Sequence, residues 1–206
     1  MSRVSRFINN LKKKPVNAII DCNIYPDRKD SYAGNSIADK SIKVIDFSYG
    51  SNIGSVSEQI CHYFNDKVLS ASTCSYKDEI SNQSTIFLEK ILINLIYADK
   101  NFQMADLYSK VQDEVRYLES TGKESQIVFL TICSDDYNQN EILHTVRNFT
   151  KGLSSVLFRH TIMVRGMTSN EHLPFEKLGG CLEFLISKYG DVFNGETIDL
   201  RTYNFK

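Results

Sequence analysis

The chain has 206 residues, 42% of them hydrophobic and 24% charged, with a net charge of -1. That apolar content is enough to offset the entropy of ordering, so wholesale disorder is excluded, and glycine, proline and cysteine are too sparse for a fibrous or disulfide-stapled class. The longest apolar run, Ile91 to Ile96 with Asn94 inside it, falls far short of the roughly 18 residues a membrane-spanning helix needs. The length suits one α/β domain over residues 1–206.

In chain order, residues 1–14 carry Arg3, Arg6, Lys12, Lys13 and Lys14 and no acid. Val4, Phe7, Ile8 and Leu11 recur at helical spacing, so this stretch reads as a short basic amphipathic helix stopped by Pro15. It lacks a signal-peptide core, and the mature chain is expected to begin at Met1. Val16 to Tyr25 reads as a strand closed by Pro26 and Asp27, and Asp27 to Lys40 as a loop.

Ile42 to Phe47 predicts a second strand. After it comes the small-residue turn Gly50-Ser51-Asn52-Ile53-Gly54-Ser55 and a helix capped by Ser55 or Ser57 that carries Val56, Ile60 and Phe64. Lys67 to Thr73 predicts a third strand. Ser84 to Tyr97 is apolar nearly all round and predicts a buried core helix. Met104, Leu107, Val111, Val115 and Leu118 form a one-sided stripe, which predicts a helix covering one sheet face and ending at Gly122.

Gln126 to Cys133 is the most hydrophobic stretch and predicts a central strand of a covered parallel sheet, with Ser134-Asp135-Asp136 at its carboxyl end. A helix over Asn140 to Phe149 and a strand over Thr161 to Val164 follow. Cys181 to Ser187 and Thr197 to Tyr203 alternate around Tyr189-Gly190-Asp191 and Asn194-Gly195, which predicts a C-terminal antiparallel hairpin at 181–203. The expected architecture is a three-layer α/β sandwich with a mainly parallel central sheet and that hairpin.

The chemical inventory is thin. No GxxxxGK[ST] loop and no GxGxxG turn occurs, and Gly50 to Ser55 is the nearest approach to a phosphate cradle; the same residues also serve simply to let a helix fold back onto the sheet. Asp21, Asp46 and Asp135 stand at or near strand ends, and if parallel neighbours bring them together they could hold magnesium for phosphoryl transfer or nuclease work. Asp46-Phe47-Ser48-Tyr49-Gly50-Ser51 is similar to the metal-binding DxSxS turn of von Willebrand-type adhesion domains, with one residue too many before the last serine. Strand-end aspartates are also ordinary turn formers.

Five cysteines (Cys22, Cys61, Cys74, Cys133, Cys181) and four histidines (His62, His144, His160, His172) are too dispersed for zinc, and the cysteines suit buried thiols in a reducing compartment, cytoplasmic or nuclear. No nucleophile elbow occurs, and His144 reads as a helix-surface residue. Lys12, Lys13, Lys14, Arg159 and Arg165 are candidate phosphate contacts for a nucleic acid, although basic residues on helix faces are commonly just solvated.

The strand Ile127 to Cys133 leading to Asp135, the helix after it, the strand His160 to Arg165 and the hairpin Leu182 to Tyr203 together resemble the second half of a RecA-like ATPase core, across roughly residues 40–203. In that resemblance Ile127 to Asp135 is the counterpart of the Walker B strand. The phosphate loop has no counterpart, since Tyr25-Pro26-Asp27-Arg28 stands where it would follow the first strand. The resemblance therefore implies a degenerate member, like the recombinase paralogues of DNA repair or the accessory subunits of the Elongator tRNA-modification complex. Its expected function is that of a non-catalytic subunit acting through protein partners, as hetero- or homo-oligomer, near nucleic acid, without a cofactor, a metal or a membrane. The alternative expectation is the magnesium-dependent enzyme of Asp21, Asp46 and Asp135.

Overall fold

In the computed structural model, residues 37, 40–48, 54–68, 70–76, 90–99, 101–133, 139–157 and 161–201 are described. All lie in the second of the two units into which the chain divides, Asn35–Lys206. The elements are β1 (Ser41–Asp46), α1 (Gly54–Phe64), β2 (Ser70–Ser75), β3 (Lys90–Ala98), α2 (Met104–Thr121), β4 (Ser125–Cys133), α3 (Asn140–Val156), β5 (Ile162–Asn170), α4 (Phe175–Ile186), a 3-10 helix (Lys188–Phe193) and β6 (Thr197–Asp199). The expected basic helix of residues 1–14 and strand of residues 16–25 lie outside the described residues.

The six strands form one sheet in the order β2-β1-β3-β4-β5-β6, and every neighbouring pair is parallel. Parallel pairing requires crossover connections, and the described helices between β1 and β2 and between successive strands from β3 to β6 supply them on both faces. β4 shows the result most plainly, because all nine of its residues are buried.

Alternation along the strands sorts the two faces. Ile45, Leu92, Ile96, Ile127, Phe129, Ile162 and Val164 pack with Leu107, Val111 and Leu118 of α2 and Val146 of α3. The opposite parity carries Arg165 and Gln126, whose side chains reach the carbonyls of Leu185 and Ile186 in α4. On that second face α1 lies against β1 and β2, and it meets α4 through Tyr63 and Lys67, which both donate to Glu183, at 2.9 and 2.6 Å. The layers are therefore α1 with α4, the sheet, and α2 with α3.

The α/β sandwich with its parallel sheet agrees with the sequence reading, and two elements do not. Residues 90–98, expected as the end of a buried helix, are strand β3. A short apolar run has no periodicity to separate a buried helix from a doubly covered strand, and the isoleucines at 91, 93 and 96 favour the strand. The expected C-terminal antiparallel hairpin is absent: Cys181 and Leu182 lie in α4, and β6 adds to β5 in parallel. Leu178, Cys181, Leu182, Leu185 and Ile186 are buried at helical spacing behind Pro174, a period-3.6 pattern that passes locally for alternation.

Smaller differences concern ends. α1 starts at Gly54, which puts Ser55 and Ser57 within its first turn, and β5 runs on to Asn170. Gly122 ends α2 in the left-handed region at φ 62°, where a side chain would be strained, and its N–H bonds the carbonyl of Glu119. Among the described residues no helix is long and apolar enough to cross a membrane.

Candidate functional site

Because all strands run one way, their carboxyl ends share one edge. The chain leaves β1 toward β2 through α1 on one face and returns to β3 on the other side of β1, after which α2 covers the opposite face. The order thus reverses between β1 and β3, and connections leaving that point on opposite faces open a crevice there.

The rim of the crevice is built by the strand ends. The backbone of Phe47 extends the ladder by donating to Leu95 O at 2.9 Å, and Tyr76 donates to Asp46 O at 3.0 Å. The rings of Phe47 and Tyr76 stack with centroids 5.0 Å apart. Asp46 accepts from the Ser48 backbone N–H at 2.7 Å, so its carboxylate is a turn former. Across the crevice Asp99 accepts from the N–H groups of Asn101 and Phe102, at 2.8 and 3.1 Å, and shapes the lead into α2.

Farther along the edge, Tyr97 donates its hydroxyl to Glu171 at 2.8 Å, above β4. Ala98, Cys133 and Leu143 form a small apolar cluster there. At the end of β6, Arg201 grips Asp199 with Nε and Nη2 at 2.9 and 2.7 Å and with its backbone N–H at 3.1 Å. Arg147 of α3 stands 3.8 Å from the same carboxylate.

Arg201's hydrogen bond to Asp199 holds that carboxyl below the usual carboxylate range, with Arg147 adding to it against the opposing effect of burial. Burial pushes the thiols of Cys61, Cys133 and Cys181 up to about 11. All three are protonated at neutral pH and lack the thiolate that nucleophilic work requires.

Several expected site residues, Lys12, Lys13, Lys14, Asp21, Asp135 and Arg159, lie outside the described residues, as do residues 50–53 of the turn that opens α1. Arg165 is corrected. It is fully buried, with Nη1 on Gln126 Oε1 at 2.8 Å and on the Leu185 carbonyl, and Nη2 on Asp191 Oδ1 at 2.6 Å, so it presents nothing to a nucleic acid. Asp46 is the one described member of the expected magnesium set, and no group of three or more metal-ligating side chains occurs among the described residues. Arg147, Asp199 and Arg201 went unread in the sequence, because the segment holding the last two was assigned to a hairpin.

No family model matches the chain, and no curated protein sequence matches it either. Solved structures do match. A structure of a putative NAD(P)-dependent gluconate 5-dehydrogenase from Beutenbergia cavernae, with bound NADP, superimposes at a TM-score of 0.56 and 13% identity, covering 81% of this chain and 96% of that one. The 3-ketoacyl-(acyl-carrier-protein) reductase of Brucella melitensis, complexed with NADH, gives 0.55 and 13%, covering 80% and 98%. An oxidoreductase of the short-chain dehydrogenase/reductase type from Brucella ovis gives 0.50 and 12%, covering 78% and 99%.

The fold is Rossmann-like. That finding overturns the RecA-like resemblance, one leg of which, the hairpin Leu182 to Tyr203, is a helix and a parallel strand in the structure. It also removes the ground for the non-catalytic, degenerate-ATPase scaffold, which followed from that resemblance; the three matching structures are those of oxidoreductases. Of the magnesium-dependent alternative only Asp46 lies among the described residues, where it acts as a turn former.

Proposed function

We propose that this Rossmann-like chain binds a nicotinamide dinucleotide at the carboxyl edge of its sheet and serves an oxidation–reduction reaction. One observation carries the reading: the strand order reverses beside β1, and the helix that follows β1 in the chain holds no acid in its first turn. A helix start offers unpaired N–H groups and the positive end of a dipole, the preferred seat of a pyrophosphate at such a switch point. The two matching structures with the higher TM-scores hold NADP and NADH.

The donor set around the start of α1 suits such a ligand by its chemistry. Gly50, Ser51, Asn52, Gly54 and Ser55 are small and uncharged, so backbone groups can approach an anion without opposing charge. The spacing departs from GxGxxG, with two glycines in place of three, and β2 ends at Ser75 with Tyr76 next in the chain, hydroxyls in place of the acid that meets a ribose in the usual pattern. The binding expected is therefore weaker and less selective between the two nicotinamide dinucleotides than the full fingerprint gives.

A bound nicotinamide supplies the hydride acceptor or donor that no side chain can supply. The chain's own part is to shield and orient. Ala98, Cys133 and Leu143 give an apolar floor that excludes water, and Tyr97, fixed by Glu171, holds a hydroxyl proton on the same edge.

Titration of the intact chain with NADH and NADPH, followed by nicotinamide fluorescence and by calorimetry, tests the reading. Saturable binding in the roughly micromolar to millimolar range of enzyme ligands is expected. Absence of any heat or emission change with either dinucleotide at several millimolar would overturn it.

A further inference from the structure

We infer that Arg147 and Arg201, arranged around Asp199 at the carboxyl end of β6, form a binding site for an oxyanion group, carboxylate or phosphate, carried by a small-molecule ligand. The inference rests on the proposed function only in placing that ligand on the same edge of the sheet.

The charge count comes first. Two guanidinium groups face one carboxylate, so the cluster carries a net positive charge. Asp199 and Arg201 are shielded, at 25% and 32% side-chain exposure, whereas Arg147 is 48% exposed.

The geometry divides the two arginines into different roles. Arg201 has committed its fork: Nε and Nη2 take the two oxygens of Asp199 in a bidentate pair, and its backbone N–H closes the same turn. Arg147 stands at 3.8 Å from Asp199 Oδ2, beyond hydrogen-bond distance, and is held near it by charge alone. Its planar set of donors remains available to a ligand, and a guanidinium matches the two oxygens of a carboxylate or phosphate.

The backbone explains why these groups meet. Leu143 and Arg147 are one helical turn apart on α3, and Leu143 packs on Ala98 and Cys133, which fixes the N-terminal half of the helix over the strand ends. Thr168 of β5 pairs in register with Asp199, and Leu200 N donates to Thr168 O at 2.8 Å. From there Arg201 reaches back across β5 toward the Cys133 thiol at the end of β4. The cluster thus lies at the end of β5 beside α3 and next to the apolar floor, where a ligand on this edge would extend.

The test is a calorimetric titration of the full chain with two probes, inorganic phosphate and succinate, at constant ionic strength set by potassium chloride so that general screening cancels. NADH and NADPH are titrated in parallel. Saturable binding of at least one probe is expected, weakened tenfold or more in Arg147→Gln, while the melting temperature of that variant stays within about 3 °C of the wild type. Asp199→Asn is expected to tighten the probe severalfold by removing the competing carboxylate, a change a merely structural cluster would not give. Which probe binds identifies the ligand group as carboxylate or phosphate. Failure of both probes to bind, or equal binding in Arg147→Gln, overturns the inference. Probe binding without binding of either NADH or NADPH leaves it standing and overturns the dinucleotide reading alone; dinucleotide binding without probe binding does the reverse.

Discussion

Arg165, fully buried at the middle of β5, is neutralised by Asp191 of the 3-10 helix at 2.6 Å, although Asp191 itself is 44% exposed. The pair fastens the C-terminal end of α4, because Nη1 also donates to Leu185 O and Gln126 Nε2 donates to Ile186 O at 3.0 Å. Carbonyls at a helix end lack intrahelical partners, so a cation beneath them satisfies both geometry and dipole. Burial still draws the guanidinium below its ordinary pKa, and Asp191 opposes that shift. Nε has no partner, so the arrangement stabilises this helix end while leaving a desolvation cost.

Removing Asp191 exposes that cost. Asp191→Ala is expected to destabilise the chain by about 1–3 kcal/mol, below the 3–5 kcal/mol typical when a fully buried pair is broken, because water can reach the vacated position. Arg165→Met also destabilises, since Gln126 Oε1 and Leu185 O lose their donor. The double variant is expected to lose less than the two single losses combined. Urea unfolding midpoints across the four proteins check this, and strict additivity would contradict the coupling.

What the sequence shows of this fold follows the range of the interactions involved. α2 and α3 were legible because their stripes repeat at helical spacing, and β4 because a continuous apolar run bounded by polar turns has few other uses. Arg165 reads as a surface cation when its strand ends at Val164, and the longer strand His160 to Arg165 of the RecA-like resemblance still leaves it at a strand end. Placed inside the run Ile162 to Met167, a cation must be buried and partnered, and its partner lies 26 residues away. The small, uncharged residues before α1 are visible as composition, but the position of α1 beside the switch point is not, since strand order depends on pairings far apart in the chain. The cluster of Arg147, Asp199 and Arg201 stayed hidden for the same reason, as only the parallel pairing of β6 with β5 brings it under α3.

The start of α1 gives a prediction in which structure and function move oppositely. An acid in the first turn of a helix stabilises it through the dipole, by roughly 0.3–1 kcal/mol, yet it occupies the ground an anionic ligand needs. Gly54→Asp is therefore expected to leave the melting temperature unchanged or higher while weakening NADH binding tenfold or more. Equal affinities in the calorimeter would place the dinucleotide elsewhere.

Asp199 links the edge of the sheet to pH. Its folded-state pKa is depressed, chiefly by Arg201, so the stability it contributes is fully present above the unfolded value of about 4 and drains away as pH falls through the folded value. The wild type is expected to lose stability more steeply than Asp199→Asn below pH ~4, by less than about 1 kcal/mol for a pair with this much solvent contact. Denaturant unfolding at intervals between pH 3 and pH 6 checks it, and parallel curves would contradict it.

β6 is only three residues long and joins the sheet by lying close against Gly166. A Cβ on Gly166 would collide with Thr197 Oγ1 and stand 3.0 Å from Cβ and 3.1 Å from Cγ2 of that branched side chain. Thr197 Oγ1 is itself buried without a hydrogen-bond partner, so the threonine already carries a desolvation cost. Gly166→Ala is expected to destabilise by about 1–3 kcal/mol through overpacking, and Thr197→Ala alone to be close to neutral because it removes the unsatisfied hydroxyl. The double variant should recover most of the loss, since two atoms that collide in Gly166→Ala are then absent. Because Asp199 follows two residues after Thr197, displacement of β6 in Gly166→Ala should also weaken anion binding at Arg147, with affinity restored in the double variant. A double-mutant cycle read by thermal melting and by phosphate or succinate titration decides it: Gly166→Ala stability that Thr197→Ala does not rescue would mean that the close contact between these two strands is not what limits the glycine.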